Sequence, residues 1–370
     1  EYDSAEVIMD IYAAALPGCP GLGAKNIREL IDHFNTPEDV WNASEKDIID
    51  LHVLTPAREK AFLKYRRETD LEKLEKKLLG LGIRWCTWED STYPSLLAET
   101  SNPPAVLYYM GTSPVFEKTI GIVGSRKATA YGIETAGQFA RALSKEGVTV
   151  VSGGARGIDS AAHSGVLQEK GSTVVVMACG LDKVYPPENR NLFQQVIDNG
   201  GTLLSEYPPG TPPLGRQFPA RNRIIAGMSR GVIVVEAAER SGSLITSDFA
   251  LEEGRDVFSV PGSIWIDSCK GTNQLIRNGA ICCTSAEDVL SEYNWKEEKG
   301  KPESKYLEPL TIEEEYVFHF CQTEGEVNSE DILQHSGFSV VKLTMILLQL
   351  QLKGYIQETE QGRYIIKTGL

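Results

Sequence analysis

Short apolar runs alternate with helical stretches through the middle of the chain, and this alternation narrows the possible folds more than any other feature. The runs with the length and composition of strands are Thr119–Val123, Val148–Ser152, Thr173–Ala178, Thr202–Ser205, Gly231–Val235, Asp256–Val260 and Ala280–Cys282. The stretches between them with a helical pattern are Thr129–Lys145, Ser160–Glu169, Glu188–Asp198, Arg221–Met228, Thr246–Glu253 and Asn273–Arg277. Because strands this apolar must be covered on both faces, the pattern predicts a parallel sheet between two layers of helices. We therefore predict an α/β fold with a Rossmann-like, doubly wound and mostly parallel sheet across residues 85–293.

The segments on either side of the alternation have other patterns. Residues 1–84 have helical periodicity interrupted by a Pro/Gly-rich turn at Leu16–Gly23, which predicts an N-terminal all-helical domain similar to a helix-hairpin-helix. Residues 294–309 are charged and poor in apolar side chains, as is typical of a linker. Residues 310–370 give three helical stretches followed by two short strands, which predicts a C-terminal winged-helix domain.

Length and composition exclude several classes of protein. The 370 residues can bury a large core in two or three domains. No apolar stretch approaches the roughly 20 residues that a membrane helix needs. The acidic, polar start at Glu1–Ser4 is unlike a secretory leader, so we expect a cytoplasmic protein with no membrane partner. The seven cysteines and five histidines show no CxxC or HxH spacing, so we expect neither a disulfide framework nor a metal site.

The net charge of −14 is unevenly distributed along the chain. Residues 111–230 contain 13 Lys or Arg and 9 Asp or Glu, a local balance of +4, whereas the segments before and after them are negative. The same part of the chain contains the glycine-rich loops. Since the local field decides whether an anion binds, the sequence excludes a generally basic coat protein but favours a focused phosphate site.

The first predicted strand runs into a turn that contains glycines, Gly121–Gly132. Glycines at the carboxyl end of a strand bring backbone N–H groups close to an anion, and the next helix adds the positive end of its dipole. The candidate phosphate ligands are therefore Gly124, Ser125, Arg126 and Lys127. A tight turn with surface cations explains the same residues equally well. The spacing is not GxGxxG and the second strand ends in Ser-Gly-Gly rather than in an acidic residue, so NAD is disfavoured and we expect no cofactor.

A second glycine loop follows the second strand. It supplies Gly153, Gly154 and Arg156 as candidates that would help to hold phosphate. Asp159, at the end of this loop, is a natural helix N-cap. His163 lies one turn later and could act as a base, but the sequence places no partner beside it. A buried, hydrogen-bonded structural role is favoured for this histidine.

A third cluster, rich in cations, follows the Pro-rich run Tyr207–Pro213. Arginine binds phosphate, and an aromatic ring stacks on an unpaired base whatever the base is. In a duplex that base face is already covered by its neighbours, so such a cluster favours single strands. The candidates are Arg216, Phe218, Arg221, Asn222 and Arg223. The alternative is that Phe218 belongs to the core and the arginines lie on a solvated helix face.

A fourth turn between a strand and a helix contains the small residues Ser241, Gly242 and Ser243. Their N–H and hydroxyl groups could receive phosphate, although simple helix capping is the alternative. In a doubly wound sheet the loops after neighbouring strands meet at the carboxyl edge. We therefore predict that these turns and the cationic cluster line one groove.

Seven motifs occur together in one order and spacing: Gly121–Gly132, Ser152–His163, Gly180–Asn189, Ser205–Gly210, Phe218–Arg223, Ser241–Thr246 and Val260–Gly262. This ordered set resembles the DprA/Smf family, the DNA-processing proteins of bacterial transformation. The resemblance is strong over about residues 90–293 and looser in the flanking segments.

The resemblance implies a protein without catalytic residues that binds single-stranded DNA and loads the RecA recombinase onto it, in DNA uptake and homologous recombination. It implies that Gly124–Arg126 holds phosphate, that Phe218 stacks on a base, and that two chains pair as a homodimer within Gly271–Leu290. It also implies a sterile-alpha-motif-like helical domain in residues 1–84. Charge and neighbourhood add four further residues to the DNA-binding set: Lys183, Arg216, Arg221 and Arg223.

Two other functions stay open. Rossmann-like nucleotide phosphoribohydrolases also combine a glycine pair with an Arg-Asn-Arg-like stretch, and Glu236 or Asp159 would then be catalytic. The PGGxGTxxE loop expected of that class is absent from the sequence. A winged-helix regulator would read duplex DNA with the helix Ser339–Leu352, but Lys342 is the only cation of that helix, whereas a groove-reading helix carries several polar contacts. We therefore favour packing or partner binding for the C-terminal module.

Overall fold

A computed structural model describes residues 10–296, 310–325, 327–353, 355–359 and 362–366. The chain divides between Trp295 and Lys296 into two compact units, which are described separately. Most of the predicted linker, 294–309, lies outside the described residues. Within the described part of the chain, no helix combines the length and apolar character needed to cross a membrane.

The first unit begins with six helices and continues with a nine-stranded sheet and its connections. The six helices are α1 (Ile11–Ala15), α2 (Ala24–Phe34), α3 (Pro37–Asn42), α4 (Glu45–Asp50), α5 (Pro56–Glu68) and α6 (Leu71–Gly80). The strands are β1 (Arg84–Thr87), β2 (Val106–Gly111), β3 (Thr119–Val123), β4 (Thr149–Gly153), β5 (Thr173–Val176), β6 (Thr202–Ser205), β7 (Gly231–Val234), β8 (Asp256–Ser259) and β9 (Ile281–Cys282). The helices along the sheet are α7 (Ser95–Ala98), α8 (Ala130–Lys145), α9 (Ile158–Gln168), α10 (Arg190–Asp198), α11 (Gln217–Gly227), α12 (Gly242–Glu252), α13 (Lys270–Arg277) and α14 (Ala286–Glu292).

The sheet has the strand order β1-β2-β6-β5-β4-β3-β7-β8-β9. All neighbours from β6 to β9 are parallel, whereas β2 pairs antiparallel with β6 and β1 antiparallel with β2. The seven predicted strands are therefore confirmed, together with the mostly parallel sheet. The antiparallel strands β1 and β2 were not predicted, since the first predicted strand was Thr119–Val123.

Apolar residues of the N-terminal helices continue directly into the core on one face of the sheet. Two hydrogen bonds fix this junction: the Tyr108 hydroxyl donates to the Ala14 carbonyl oxygen at 2.6 Å, and the Trp85 indole N–H donates to the Asp10 carbonyl oxygen at 2.8 Å. Helices and sheet thus form one compact unit. The predicted boundary at residue 84 coincides with the start of β1, and the division of this unit into two domains stays a prediction.

The second unit contains three helices followed by a hairpin. The elements are α15 (Ile312–Glu324), α16 (Ser329–Ser336), α17 (Val340–Leu352), β10 (Ile356–Glu358) and β11 (Tyr364–Ile366). The strands pair antiparallel. The helices close on a small apolar core that includes Val317, Leu343 and Leu350. The order of elements agrees with the pattern that the sequence predicts for residues 310–370.

Candidate nucleic-acid interface

A cleft of about 730 Å³ opens at the carboxyl edge of the sheet. Its walls come from the loops after β3, β4, β5 and β7 and from the first half of α11. Strands β5, β4, β3 and β7 are neighbours in the sheet, so their carboxyl ends, spaced by about 4.8 Å per strand, lie side by side. A smaller cavity of about 30 Å³ adjoins the cleft.

The loop after β3 is held by backbone hydrogen bonds on both sides. The Ser125 N–H donates to the Glu236 carbonyl oxygen at 2.7 Å, and the Ile158 N–H donates to the Ser125 carbonyl oxygen at 3.2 Å. Gly124 is required at this crossing, since a Cβ there would lie 2.6 Å from Ile158 Cγ1 and 3.0 Å from the Glu236 carbonyl oxygen. The loop is therefore fixed from beneath while the side chains of Arg126 and Lys127 are exposed in the cleft.

The buried carboxylate of Glu236 fixes the start of α8. Its Oε2 accepts from the Thr129 N–H at 3.1 Å and from the Thr129 hydroxyl at 2.7 Å. Thr129 in turn caps the helix by accepting from the Gly132 N–H at 3.1 Å. Glu236 does not line the cleft. Its carboxylate therefore has a structural partner at the start of α8, next to the predicted phosphate loop.

Helix α11 begins at Gln217, so the prediction that this helix starts at Arg221 was wrong. The earlier start puts Phe218 on the helix and gives Phe218, Arg221 and Asn222 the i, i+3, i+4 spacing of one helix face. All three line the cleft. Arg223 lies five residues after Phe218, about 140° around the helix axis, and it does not line the cleft.

Phe218 is half-buried, and its ring contacts two other side chains of the cleft. The guanidinium carbon of Arg126 lies 5.1 Å from the ring centroid, within the range of a cation–π contact. Tyr185 lies in the loop after β5. The centroid of its ring is 5.3 Å from that of Phe218, and the two ring planes are tilted by 55°. The structure thus brings the predicted phosphate loop and the predicted stacking ring together, and it adds a second ring that the sequence analysis did not select.

The floor of the cleft contains a buried carboxyl group and a buried guanidinium. Burial raises the pKa of Asp159 to about 6, and Arg221 and the Ala155 N–H lower it in part. Burial also lowers the pKa of Arg221, whose guanidinium donates to the Val176 carbonyl oxygen. Gly153 makes room for both, because a Cβ there would lie 2.5 Å from Arg221 Nη2 and 2.5 Å from Asp159 Oδ2. Arg221 is therefore a floor residue with an internal partner, not the exposed cation that the sequence predicted.

The loop after β4 contributes Gly154, Ala155 and Arg156 to the walls of the two cavities. Arg156 is exposed and pairs with Glu188, with its Nε 3.0 Å from Oε1. Behind this loop, His163 is fully buried between the Thr173 hydroxyl at 2.7 Å and the Gly153 carbonyl oxygen at 2.9 Å. Burial lowers its pKa to about 4. The structural role predicted for this histidine is confirmed.

The loop after β7 closes the other side of the cleft. Ser241 caps α12, with its hydroxyl 3.4 Å from the Ser243 N–H and 2.7 Å from the Ser243 hydroxyl. Asn222 of α11 donates to the Gly242 carbonyl oxygen at 3.2 Å, which ties the two helices together at the cleft. Arg240, which is not among the predicted DNA-binding residues, is exposed and lines the cleft.

Three predicted cations lie outside the cleft lining. Lys183 is exposed and pairs with Asp182 at 3.4 Å. Arg216 is exposed at the start of α11. Arg223 pairs with Glu206, and both side chains are less than one fifth exposed. The helical phase explains the position of Arg223, because the residues that face the cleft recur every third or fourth residue from Phe218.

The cleft holds three exposed cations for which the described residues supply no counter-charge. Among the described residues, no carboxylate lies within 4 Å of the side-chain nitrogens of Arg126, Lys127 or Arg240, which are all exposed and line the cleft. Many other cations of the first unit are paired, including Arg67, Arg141, Lys145, Arg156, Lys183 and Lys270. A chain of net charge −14 therefore presents a locally positive cleft. Across the described ranges, no cluster of three His, Cys, Asp or Glu residues is placed to hold a metal ion.

Comparison with known proteins places this unit among DNA-processing proteins. Residues 84–294 match the family model of DNA recombination-mediator protein A. The chain is 39% identical to protein Smf of Synechocystis over 276 residues, which is 73% of this chain and 69% of the relative. It is 46% identical to DNA processing protein DprA of Streptococcus pneumoniae over 207 residues, 56% of this chain and 73% of the relative.

Two solved structures agree with these relatives. The X-ray structure of Streptococcus pneumoniae DprA superposes with a TM-score of 0.68 at 37% identity, covering 76% of this chain and 98% of that one. A Helicobacter pylori DNA processing protein A, described for its single-stranded DNA binding mode, superposes with a TM-score of 0.51 at 30% identity. This match covers 57% of this chain and 95% of the Helicobacter pylori chain.

Proposed function

The chain belongs to the family of DNA recombination-mediator protein A, and from this premise we propose that its cleft binds single-stranded DNA. The observation that carries the proposal is the contact between Arg126 and Phe218, at 5.1 Å from guanidinium carbon to ring centroid, in a cleft that also holds two cations without a counter-charge. Phosphate-binding and base-stacking groups are thereby placed within one nucleotide of each other. The Helicobacter pylori relative, described as a single-strand binder, supports the same reading.

Each part of the cleft has a role in this proposal. Arg126, Lys127 and Arg240 bind successive phosphates, and the fixed loop around Gly124 keeps the first of these cations in place. Phe218 stacks on one base, and the Arg126 guanidinium moves from the ring to a phosphate as the base takes its place. A duplex offers no free base face, so the ring selects unpaired strands. Contact with backbone and base faces gives little sequence preference.

We further propose that the protein acts by binding, without a catalytic step, and that it passes the bound strand to the RecA recombinase. A homodimer through residues 271–290 would bring two clefts to one strand. The Gly271 N–H donates to the Ala237 carbonyl oxygen at 2.8 Å and so connects α13 to the loop that forms the cleft wall, which would place such a dimer contact close to the cleft. For residues 310–370 we propose a winged-helix module that binds a partner rather than duplex DNA.

One observation favours a second candidate, a nucleotide phosphoribohydrolase. Asp159 is a carboxyl group in the cleft floor with a pKa of about 6, close to the value useful for acid–base catalysis. The other candidate, Glu236, is occupied by Thr129. Incubation with AMP and detection of free adenine would support this activity, and its loss in Asp159→Asn would assign it. We expect no free base from the wild-type protein.

The test of the main proposal is a fluorescence anisotropy titration of the full chain with an unpaired oligo-dT strand and with a duplex of the same length. We expect the single strand to bind more tightly. Phe218→Ala should weaken single-strand binding by roughly 5- to 150-fold, which corresponds to about 1–3 kcal/mol of base stacking. Phe218→Tyr keeps a ring and should restore binding. Equal binding of both DNA forms, or a Phe218→Ala variant that binds like wild type, would contradict the proposal.

A further inference from the structure

We propose that Tyr185 forms a second base subsite, so that the cleft takes two consecutive unpaired bases rather than one. The inference rests on the proposed single-strand binding and extends it to a residue that the sequence analysis did not select. Tyr185 lines both the cleft and the small cavity beside it. Tyr185 is 39% exposed, so part of its ring is accessible beside Phe218.

The geometry of the two rings assigns them to different bases. Their centroids are 5.3 Å apart and their planes are tilted by 55°. A base held between two parallel rings would need about twice the van der Waals contact distance of ~3.5 Å, or ~7 Å in all. Phe218 and Tyr185 therefore cannot sandwich one base, and each ring offers a face of its own.

Tyr185 and Arg126 reach the Phe218 ring from different loops. The Arg126 guanidinium carbon lies 5.1 Å from the centroid of the Phe218 ring, and the centroid of the Tyr185 ring lies 5.3 Å from it. Tyr185 follows β5, whereas Arg126 follows β3, with β4 between them in the sheet. A phosphate at Arg126, a base on Phe218 and a second base on Tyr185 would therefore each contact a separate element of the cleft.

The segment that carries Tyr185 is anchored on both sides of the ring. Before it, the Asp182 carboxylate accepts from the Gly210 N–H at 2.7 Å. After it, the Asn189 amide donates to the Gly154 carbonyl oxygen at 3.0 Å and to the Ser160 hydroxyl at 2.9 Å. A ring presented from a fixed segment loses little conformational entropy when a base stacks on it. The anchoring suits a binding surface that is already formed in the free protein.

A hydrogen bond from its hydroxyl does not explain why a tyrosine stands at position 185. Within the described ranges the Tyr185 hydroxyl makes no hydrogen bond, whereas the buried hydroxyls of Tyr93 and Tyr108 donate to carbonyl oxygens of the fold at 2.8 and 2.6 Å. A tyrosine with a half-exposed ring and a free hydroxyl adds little to the core. Its exposed face is therefore available to a ligand, and in this cleft the matching ligand is a nucleobase.

The experiment counts the bases that add to affinity. A six-position strand is made with tetrahydrofuran abasic sites throughout, and then with one, two or three adjacent thymines, and each is titrated against the full chain. We expect the first and the second thymine each to strengthen wild-type binding by about fivefold or more, and the third to add little. Tyr185→Ala should lose the second step and keep the first. Tyr185→Phe should keep both steps, because the ring is retained.

A matched control separates a subsite from a general effect of removing a tyrosine. Tyr131 is 60% exposed on α8 and does not line the cleft, so Tyr131→Ala should keep both steps. Loss of both steps in Tyr185→Ala would overturn the subsite, because Tyr185 would then only support Phe218. Retention of both steps in that variant would also overturn it. If no thymine adds affinity even in the wild type, base stacking on Phe218 fails as well, and the proposed function falls together with the subsite.

Discussion

The cleft of the first unit and helix α17 of the second unit are two regions considered for DNA contact. They differ in whether their cations are paired with carboxylates. In the cleft, Arg126, Lys127 and Arg240 have no carboxylate within 4 Å among the described residues. In the second unit, Lys342 of α17 pairs with Glu313, and Lys353 pairs with Glu314 at 2.8 Å. Both regions thus contain basic side chains, but those of the cleft have no carboxylate partner among the described residues, whereas Lys342 of α17 has one.

This difference shows that the pairing of cations matters more than their number. A phosphate must displace a carboxylate before it can bind a paired cation, and a strand that approaches Glu313 or Glu314 is repelled. Exposed ion pairs such as Lys342–Glu313 add only about 0–1 kcal/mol to stability. In the cleft, by contrast, the carboxyl group of Asp159 lies in the floor, and the nearby Glu236 carboxylate accepts a hydrogen bond from the Thr129 N–H.

The sharpest test of this comparison exchanges one cation in each region for alanine. Arg126→Ala removes a charge-assisted hydrogen bond to phosphate worth about 1.5–3 kcal/mol, so single-strand affinity should fall roughly 10- to 150-fold. Lys342→Ala removes a paired cation and should change affinity less than twofold. Fluorescence anisotropy with one oligonucleotide at one salt concentration measures both.

A cation control lies at the opposite edge of the sheet. Arg230 is exposed and directly precedes β7, at the amino end of that strand, so Arg230→Ala should bind like wild type. If Lys342→Ala weakens binding as much as Arg126→Ala, paired cations do contribute and the comparison between the two regions fails.

The salt dependence of binding counts the available cations. Three phosphate contacts predict a slope of about −2 for the logarithm of the association constant against the logarithm of salt concentration, since each contact on a single strand adds about −0.7. Arg126→Ala should make the slope shallower by about 0.7, whereas Lys342→Ala should leave it unchanged. A wild-type slope near −5 would show that cations outside the cleft, such as Lys183 or Arg216, also bind the strand.

The sequence predicts the parallel strands β3 to β9 better than the antiparallel strands β1 and β2. Strands β3 to β9 are apolar runs with clear turns between them, so local pattern is sufficient. Strands β1 and β2 lie in a segment with many prolines and aromatic residues, and their place depends on pairing with β6, which local pattern does not show. The sequence shows their apolar residues, such as Trp85 and Tyr108, but it does not show the strand with which they pair.

The site was predictable where topology determines it and not where helical phase does. The meeting of Arg126 with the α11 segment follows from neighbouring strand ends at one edge of the sheet. Arg221 and Arg223 lie about 200° apart around the helix axis, so only one of them can share the face of Phe218, and Phe218 joins that helix because α11 begins at Gln217. Tyr185 and Arg240 were missed because exposure and counter-charge are tertiary properties that spacing in the sequence does not report.

The two regions contain buried groups that titrate in acid. Burial raises the pKa of Asp159 to about 6, against an ordinary value of 3.8, so Asp159 contributes up to about 3 kcal/mol to the free energy of unfolding of the first unit as pH falls from above 6 to below 3.8. Burial lowers the pKa of His163 to about 4, against an ordinary value of 6.5, so the unfolded chain takes up that proton first and this contribution opposes that of Asp159 by a similar amount. The difference between wild type and Asp159→Asn in urea unfolding at pH 7.5 and at pH 4.5 isolates the Asp159 contribution. Burial tends to raise the pKa of Glu314 as well, but hydrogen bonds from Lys353 and Thr311 outweigh it and lower the value. The second unit should therefore lose stability as pH falls below about 4.5.

The protonation of Asp159 should also change the affinity of the cleft for single-stranded DNA. A carboxylate about 8 Å from a phosphate opposes it by roughly 0.5–1 kcal/mol at an effective dielectric constant of 40–80. Single-strand affinity should therefore rise about two- to fivefold between pH 7.5 and pH 5.5. Asp159→Asn should bind as tightly at pH 7.5 as the wild type does at pH 5.5 and should show little further change. His163, with a pKa of about 4, stays neutral over this range. An Asp159→Asn variant with the full wild-type pH dependence would assign the effect to other groups.

The smallest effect on binding is expected for the substitution of Arg223. This residue tests within the first unit whether a cation paired with a carboxylate adds little to DNA binding. This arginine is three-quarters or more buried, pairs with Glu206 and donates to the Asn102 carbonyl oxygen at 3.1 Å. Arg223→Ala leaves the Glu206 carboxylate without its cation, and burial already raises the pKa of that group. The free energy of unfolding should therefore fall by about 2 kcal/mol, while single-strand affinity changes less than twofold. Urea unfolding and anisotropy on the same preparation separate the two effects. Adding Glu206→Gln should recover part of the stability, and a double variant that is stable but binds DNA poorly would show that the strand extends beyond the cleft to this face of α11.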